Sequence, residues 1–202
     1  MVVQLSITGR NAMADAFQTH VGTSPDLQIY GGGSIPANAA ASALGALIGL
    51  GTLPSSYLGA ASGGVKSKAG TWSYVGQSGA GAGTAPTYYR VVKSGVCHEQ
   101  GTCGPAVVLT TSALTAVNGN VLTFASTAGV VVGRNVSGTG IPAGATVVAV
   151  TGTTVTLSHT STAGVASGTA ITFSPDLVTN SPTISNGQQG DVSAYSFTVG
   201  GA

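Results

Sequence analysis

From Ala106 to Ser174 the chain is almost entirely Val, Thr, Ala, Gly and Ser, and its only titratable side chains are Arg134 and His159. Within this stretch Val155 and Leu157 alternate with Thr154, Thr156 and Ser158. Strict alternation of this kind describes a strand with one dry and one wet face. Thr151-Gly152 is expected to turn the preceding TVVAV into that strand, and Pro142 and Gly144 in GIPAG mark the loop that feeds it. Asn118-Gly119, between LTAV and NVLTF, is the strongest short hairpin signal in the chain. The stretch therefore reads as a small β module, closed by SPDLV from Ser174 to Val178.

The flanking sequence has a more aromatic texture. Near its start, Met13, Ala16, Phe17 and His20 or Val21 recur at the spacing of an apolar helical stripe. Thr8 is a candidate cap and Gly22 a candidate stop. Short β-like runs follow: Leu27 to Tyr30, Ala46 to Leu53, Thr71 to Val75, Thr87 to Ser94 and Val96 to Cys103. Gly, Pro and Ser clusters separate them as in a sandwich or barrel. Gly76 to Pro86 reads as a flexible loop. The last run, Ser193 to Gly200, alternates Tyr195, Phe197 and Val199, which matches the first half. The expected architecture is all-β. Residues 1–104, completed by 177–202, form a β-sandwich or jelly-roll-like core with one short N-terminal helix. Residues 105–176 form an inserted, hairpin-rich β domain.

Asp, Glu, Lys and Arg make up only 5% of the chain, against about 25% in an ordinary soluble domain. A surface so poor in charge risks association, so much of it is expected to lie against copies of itself or a larger assembly. The net charge of +1 leaves no electrostatic footprint for nucleic acid or an anionic membrane. Lys66 and Lys68 would share one face of a strand and are expected to form a solvated edge. The charge-free stretch from Ala37 to Val65 is Ala-, Gly- and Ser-rich and holds Pro54, which argues against a membrane span. MVVQLSITGRNAMADAF lacks the basic start and apolar run of a secretory signal, so synthesis and assembly are expected in a cytoplasm.

Chemistry concentrates in VCHEQGTC, which holds Cys97, His98, Glu99 and Cys103. Zinc would need four ligands in closely spaced pairs, and there is no second pair. His98 cannot serve Cys97 as a base, because strand neighbours face opposite ways. His20 and His159 have no supporting context. A turn near Glu99-Gln100-Gly101 would bring Cys97 and Cys103 within disulfide reach, whereas cytoplasmic synthesis favours two thiols. The five acids, Asp15, Asp26, Glu99, Asp176 and Asp191, are dispersed, which gives no sign of an acid–base pair. Gly31-Gly32-Gly33 lacks the spacing and the Lys of a phosphate loop. Tyr88, Tyr89 and Arg90 could hold a sugar or a base, although tyrosine is also a favoured strand residue. No catalytic, cofactor or metal site emerges.

Four motifs, GRNAMADAFQTHVGTSPDLQIYGGGSIPANAAAS, AASGGVKSKAGTW, YYRVVKSGVCHEQGTC and ISNGQQGDVSAYSFTVGGA, resemble a family of small virion proteins of tailed bacteriophages. The stretches NVLTFAST, VSGTGIPAGATVVAV and GTTVTLS look like a β module that recurs in phage tail and capsid surface proteins. The resemblance implies a structural role and supplies no functional residues to carry over. The expected role is a capsid decoration (cement) protein on the virion exterior. Its partners would be the major capsid protein and copies of itself, for example in a trimer, with no cofactor, nucleic acid or membrane. A tail tube or fibre-base protein is the alternative. A carbohydrate-binding module using exposed Tyr or Trp72 is a third reading.

Overall fold

The computed structural model describes residues 5–199, so Met1–Gln4 and the expected strand end at Gly200 lie outside the described residues. The chain divides into two compact units, residues 1–104 with 176–202 and residues 105–175. It is all-β with one N-terminal helix, as its periodicities predict.

The large unit begins with α1 (Ile7–Val21). Ser6, not Thr8, is the cap: its hydroxyl accepts the Gly9 N–H at 3.1 Å. Gly22 ends the helix at φ +84°, a conformation that a side chain would strain. The buried stripe is Ala14 and Val21 with Phe17, whose ring stacks on Phe197 at 4.6 Å. Met13 is 51% exposed and Ala16 is exposed, so the apolar face is rotated from the one expected.

Six strands follow: β1 (Asp26–Gly31), β2 (Ala46–Thr52), β3 (Val65–Ser67), β4 (Ser73–Gly76), β5 (Pro86–Lys93) and β6 (Val96–Gly104). The small unit contributes β7 (Val107–Thr110), β8 (Val121–Thr123), β9 (Asn135–Gly138), β10 (Val147–Thr151), β11 (Thr154–Leu157) and β12 (Ala170–Ser174). The chain then returns to the large unit as β13 (Leu177–Thr179) and β14 (Gln189–Thr198). The order β13-β6-β5-β1-β2-β4-β14 closes on itself through a β13–β14 pair, and β3 adds to the end of β14. Closure makes this unit a barrel, which refines the sandwich expectation and pairs β13 and β14 on both sides. All its pairs are antiparallel except β13–β6. A parallel pair cannot be joined by a tight turn, and here the connection is the whole small unit.

Several local expectations need correction. Lys66 is 3% exposed and not a solvated edge: its ammonium meets Asp15 Oδ1 of α1 at 2.5 Å. Lys68 is half-exposed and caps the Gly70 carbonyl. Gly76 to Pro86 is a tied connection rather than a free loop. It contains a 3-10 turn at Ser78–Ala80 with Ala80 buried, and its backbone bonds to residues 184–188. SPDLV belongs mainly to the barrel, where Leu177 and Val178 pair with both β6 and β14.

In the small unit β10-β11-β8 and β7-β12-β9 form two three-stranded sheets. Single bridges, Thr111 to Phe124 and Asn135 to Thr146, join them at two corners. Gly152 takes φ +56° between β10 and β11, in the turn expected there. Val155 and Leu157 are buried while Thr154, Thr156 and Ser158 are not, as the alternation requires. Asn118 does turn the chain, at φ +65°, with Gly119 N–H donating to the Ala116 carbonyl. The expected hairpin does not form, however: Thr115 bridges to Val165 and β8 pairs with β11. Buried Thr111, Thr115 and Ser161 each donate a hydroxyl proton to a backbone carbonyl, so no polar penalty remains there.

Candidate functional site

The chemistry-rich strand is β6, and one irregularity decides where its side chains go. The register pairs Tyr89 with Gly101 and Val91 with Glu99, then shifts to pair Val92 with Cys97. His98 is thus the extra residue of a β-bulge, a feature that re-aims its neighbours. Cys97 and Glu99, two residues apart, would share a face in a regular strand. Here Glu99 joins tyrosines of the barrel interior, while Cys97 lines an outer cleft with Val92 and Arg90.

Inside the barrel, Glu99 Oε1 accepts hydrogen bonds from the hydroxyls of Tyr89, at 2.5 Å, and Tyr195. Glu99 Oε2 and the Tyr57 hydroxyl are both shut off from solvent without a hydrogen-bond partner. Trp72 packs against Tyr195 with ring centroids 4.8 Å apart and donates its indole proton to the Tyr57 carbonyl at 3.0 Å. On the other side of Gly101, Asp176 Oδ2 accepts from Thr102 N and Oγ1, both at 2.8 Å. A Cβ at Gly101 would lie 2.8 Å from both Asp176 Oδ2 and the Tyr89 ring, so glycine lets the carboxylate and the phenol close over the strand.

Burial raises the Glu99 carboxyl above its usual range, and the Asp176 charge adds to this, while hydrogen bonds from Tyr195 and Tyr89 act in the opposite direction. Burial likewise drives Tyr89 and Tyr195 up, and with the Glu99 charge pushes Tyr57 to about 12. Dispersed in sequence, Glu99 and Asp176 are therefore brought into one electrostatic neighbourhood. None of Glu99, Tyr89, Tyr195 or Asp176 lines the outer cleft at Gln28, Arg90 and Cys97 or the cleft at Leu50, Tyr74 and Asp191. The cluster is a buried polar network, which fixes the packing around it.

On the outer face of the barrel, three side chains hold residues 36–44 as a strap. Gln100 Nε2 donates to the Pro36 carbonyl at 2.6 Å, and Arg90 Nη2 to the carbonyls of Ala39 and Ala41 at 2.5 and 2.9 Å. The Tyr88 hydroxyl donates to the Leu44 carbonyl and accepts its N–H. Tyr88 stacks on Tyr30 at 4.9 Å, and Tyr89 points the other way into the core. The strap explains why β5 is buried on both faces. All six tyrosines and Trp72 are buried, so the exposed aromatic platform that a sugar-binding reading requires is not there.

The remaining candidates separate. Cys97 and Cys103 sit six residues apart on one strand, and at ~3.3 Å per residue their Cα atoms are about 20 Å apart. A disulfide needs about 7 Å or less, so the pairing considered above is out of reach and both remain thiols. His20 and His98 meet edge-on at 5.2 Å. Among the described residues no three of His, Cys, Asp and Glu gather as metal ligands. Ser158 Oγ lies 2.9 Å from His159 Nδ1, a contact invisible to motif reasoning, yet residues 105–175 contain no Asp or Glu to orient that histidine. No helix among the described residues is long and apolar enough to cross a membrane. No protein-family model, no curated protein and no solved structure matches this chain.

Proposed function

We propose that this chain is a structural subunit of a tailed-bacteriophage particle, a decoration (cement) protein on the capsid exterior. It would contact the major capsid protein and copies of itself. The observation that carries the reading is the surface of the small unit. Of its two titratable side chains, Arg134 is only 3% exposed, which leaves His159 as the sole titratable group on that surface. Leu114 (70% exposed), Val108 (61%), Val117 (55%) and Val148 (53%) stand outward instead. Cross-strand rows such as Val108-Thr172-Ser137 and Val121-Thr156-Ala149 repeat the pattern.

An uncharged surface of this kind suits coverage by another subunit better than open water. The work is then done by area. Contacts made only in the assembled shell favour that shell by mass action, and repeated copies raise the effective concentration of each further contact. The resemblance of the flanking motifs to small virion proteins supports the same role.

The test mixes purified protein with phage heads lacking it, and separately with tails, and follows co-sedimentation. Binding to heads, lost on Val108→Glu or Val148→Glu, is the expected result. These changes should leave stability within about 0.5 kcal/mol, since both sites are exposed. Binding to tails alone would move the protein to the tail tube or fibre base, and binding to neither would end the proposal.

A further inference from the structure

Arg90 is 7% exposed and forms no ion pair among the described residues. A buried cation is costly unless its charge is compensated. Two strap carbonyls satisfy Nη2. Nε is buried without a partner, and Nη1 makes no hydrogen bond. This guanidinium lines an outer cleft of about 480 Å³ with Gln28, Ser42, Val92 and Cys97.

Other side chains lining the cleft also carry donors. Gln28 Oε1 accepts from the Tyr30 hydroxyl at 2.8 Å, a bond that does not engage its amide N–H groups. The Cys97 thiol donates to the Glu99 carbonyl at 3.1 Å, and Ser42 adds a hydroxyl. No carboxylate lines the cleft.

We propose that this cleft binds a small ligand through an anionic group, a carboxylate or an inorganic oxyanion, held by Arg90 Nη1 and the Gln28 amide. Its volume falls in the range of small-molecule sites. A lone positive group in a walled cleft raises the local concentration of anions. The alternative role for Arg90, a staple for residues 36–44, uses Nη2 alone and leaves the rest of the guanidinium unexplained. This site is independent of the particle role proposed above, and neither fails with the other.

Cys97 supplies an internal reporter, because Cys103 is fully buried. Its thiolate, after losing a proton to buffer, displaces iodide from iodoacetate or iodoacetamide and forms a thioether. The two reagents differ chiefly in charge. In the intact protein the ratio of iodoacetate to iodoacetamide rates at Cys97 should exceed that of free cysteine by roughly tenfold. Inorganic sulfate, at constant ionic strength set with chloride, should slow iodoacetate selectively. Gln28→Glu keeps the acceptor for Tyr30 and leaves the strap contacts in place, and it should return the ratio to that of free cysteine. A ratio equal to free cysteine in the wild-type protein, indifference to sulfate, or a Cys97 closed to both reagents would each overturn the proposal.

Discussion

The large unit fills its ring of strands with Trp72, the tyrosines 57, 74, 89 and 195, and the carboxyl of Glu99. The small unit fills its own with aliphatic side chains and two phenylalanines, Phe124 and Phe173, which meet edge-to-face at 5.6 Å. The outer surfaces differ in the same sense. All five Asp and Glu residues lie in the large unit and none in the small one. A closed β ring can thus be specified in two ways. One uses a polar network that demands a particular arrangement of donors. The other uses apolar packing plus hydroxyls that return to their own backbone.

The largest test of this contrast removes an aromatic from each interior. Phe173→Ala and Trp72→Ala should each cost about 3–5 kcal/mol, the range for truncating a buried aromatic. Amide exchange at Leu122 and Ile171 reads the first, and denaturant unfolding of the large unit by near-ultraviolet dichroism reads the second. A loss below about 1 kcal/mol at Phe173 would mean that the small unit lacks a tightly packed core.

Next in size is the ion pair between Lys66 and Asp15, both in the large unit. Asp15→Ala strands the Lys66 ammonium at 3% exposure and should cost about 1–3 kcal/mol, less than a fully buried pair because Asp15 is itself half in solvent. Lys66→Met should cost less than Asp15→Ala. The reverse order in urea titrations would show that Lys66 gains nothing from its partner.

The pH dependence sharpens the contrast further. Glu99 faces Tyr89 of β5, Tyr195 of β14 and Tyr57, with Asp176 nearby, and its folded-state carboxyl is raised above the usual value. The folded barrel therefore holds that proton more tightly than the unfolded chain does. Its contribution is complete below the unfolded carboxyl range and is lost as pH rises through the higher folded value. The slope from this one proton is at most about 1.4 kcal/mol per pH unit. Glu99→Gln should flatten the wild-type fall in stability above about pH 4.5, read by the fluorescence of Trp72, the sole tryptophan. Exchange protection in the small unit should show no such slope.

The smallest effect is Gly152→Ala, expected to cost about 1 kcal/mol from its positive φ alone, since a Cβ there meets nothing within 4 Å.

Much of this fold is legible in the residues. Alternation places Val155 and Leu157 inside, and the change of texture at Pro105 coincides with the start of the small unit. Long-range pairing is what remains hidden. LTAV and NVLTF are neighbours in sequence, but Thr115 bridges to Val165 and β8 pairs with β11, because tertiary packing overrides a favourable local turn. The interior cluster is illegible for a related reason. The bulge at His98 turns Cys97 away from the face that Glu99 shares with Gly101 and Cys103, and period-two reasoning has no means of placing an inserted residue. Nor does sequence spacing reveal that Asp176, far along the chain, comes back beside Gly101.

The parallel pair β6–β13 also bears on the order of events as the chain folds. About 70 residues separate Gly104 from Leu177, yet Val107 lies opposite Phe173 once the insert has formed. If the insert folds first, a long closure shrinks to a handful of residues, which lowers its entropic cost by roughly 2 kcal/mol. Sealing of the barrel would then wait on the insert, so damage to Phe173 should slow refolding of a wall in which that side chain takes no part.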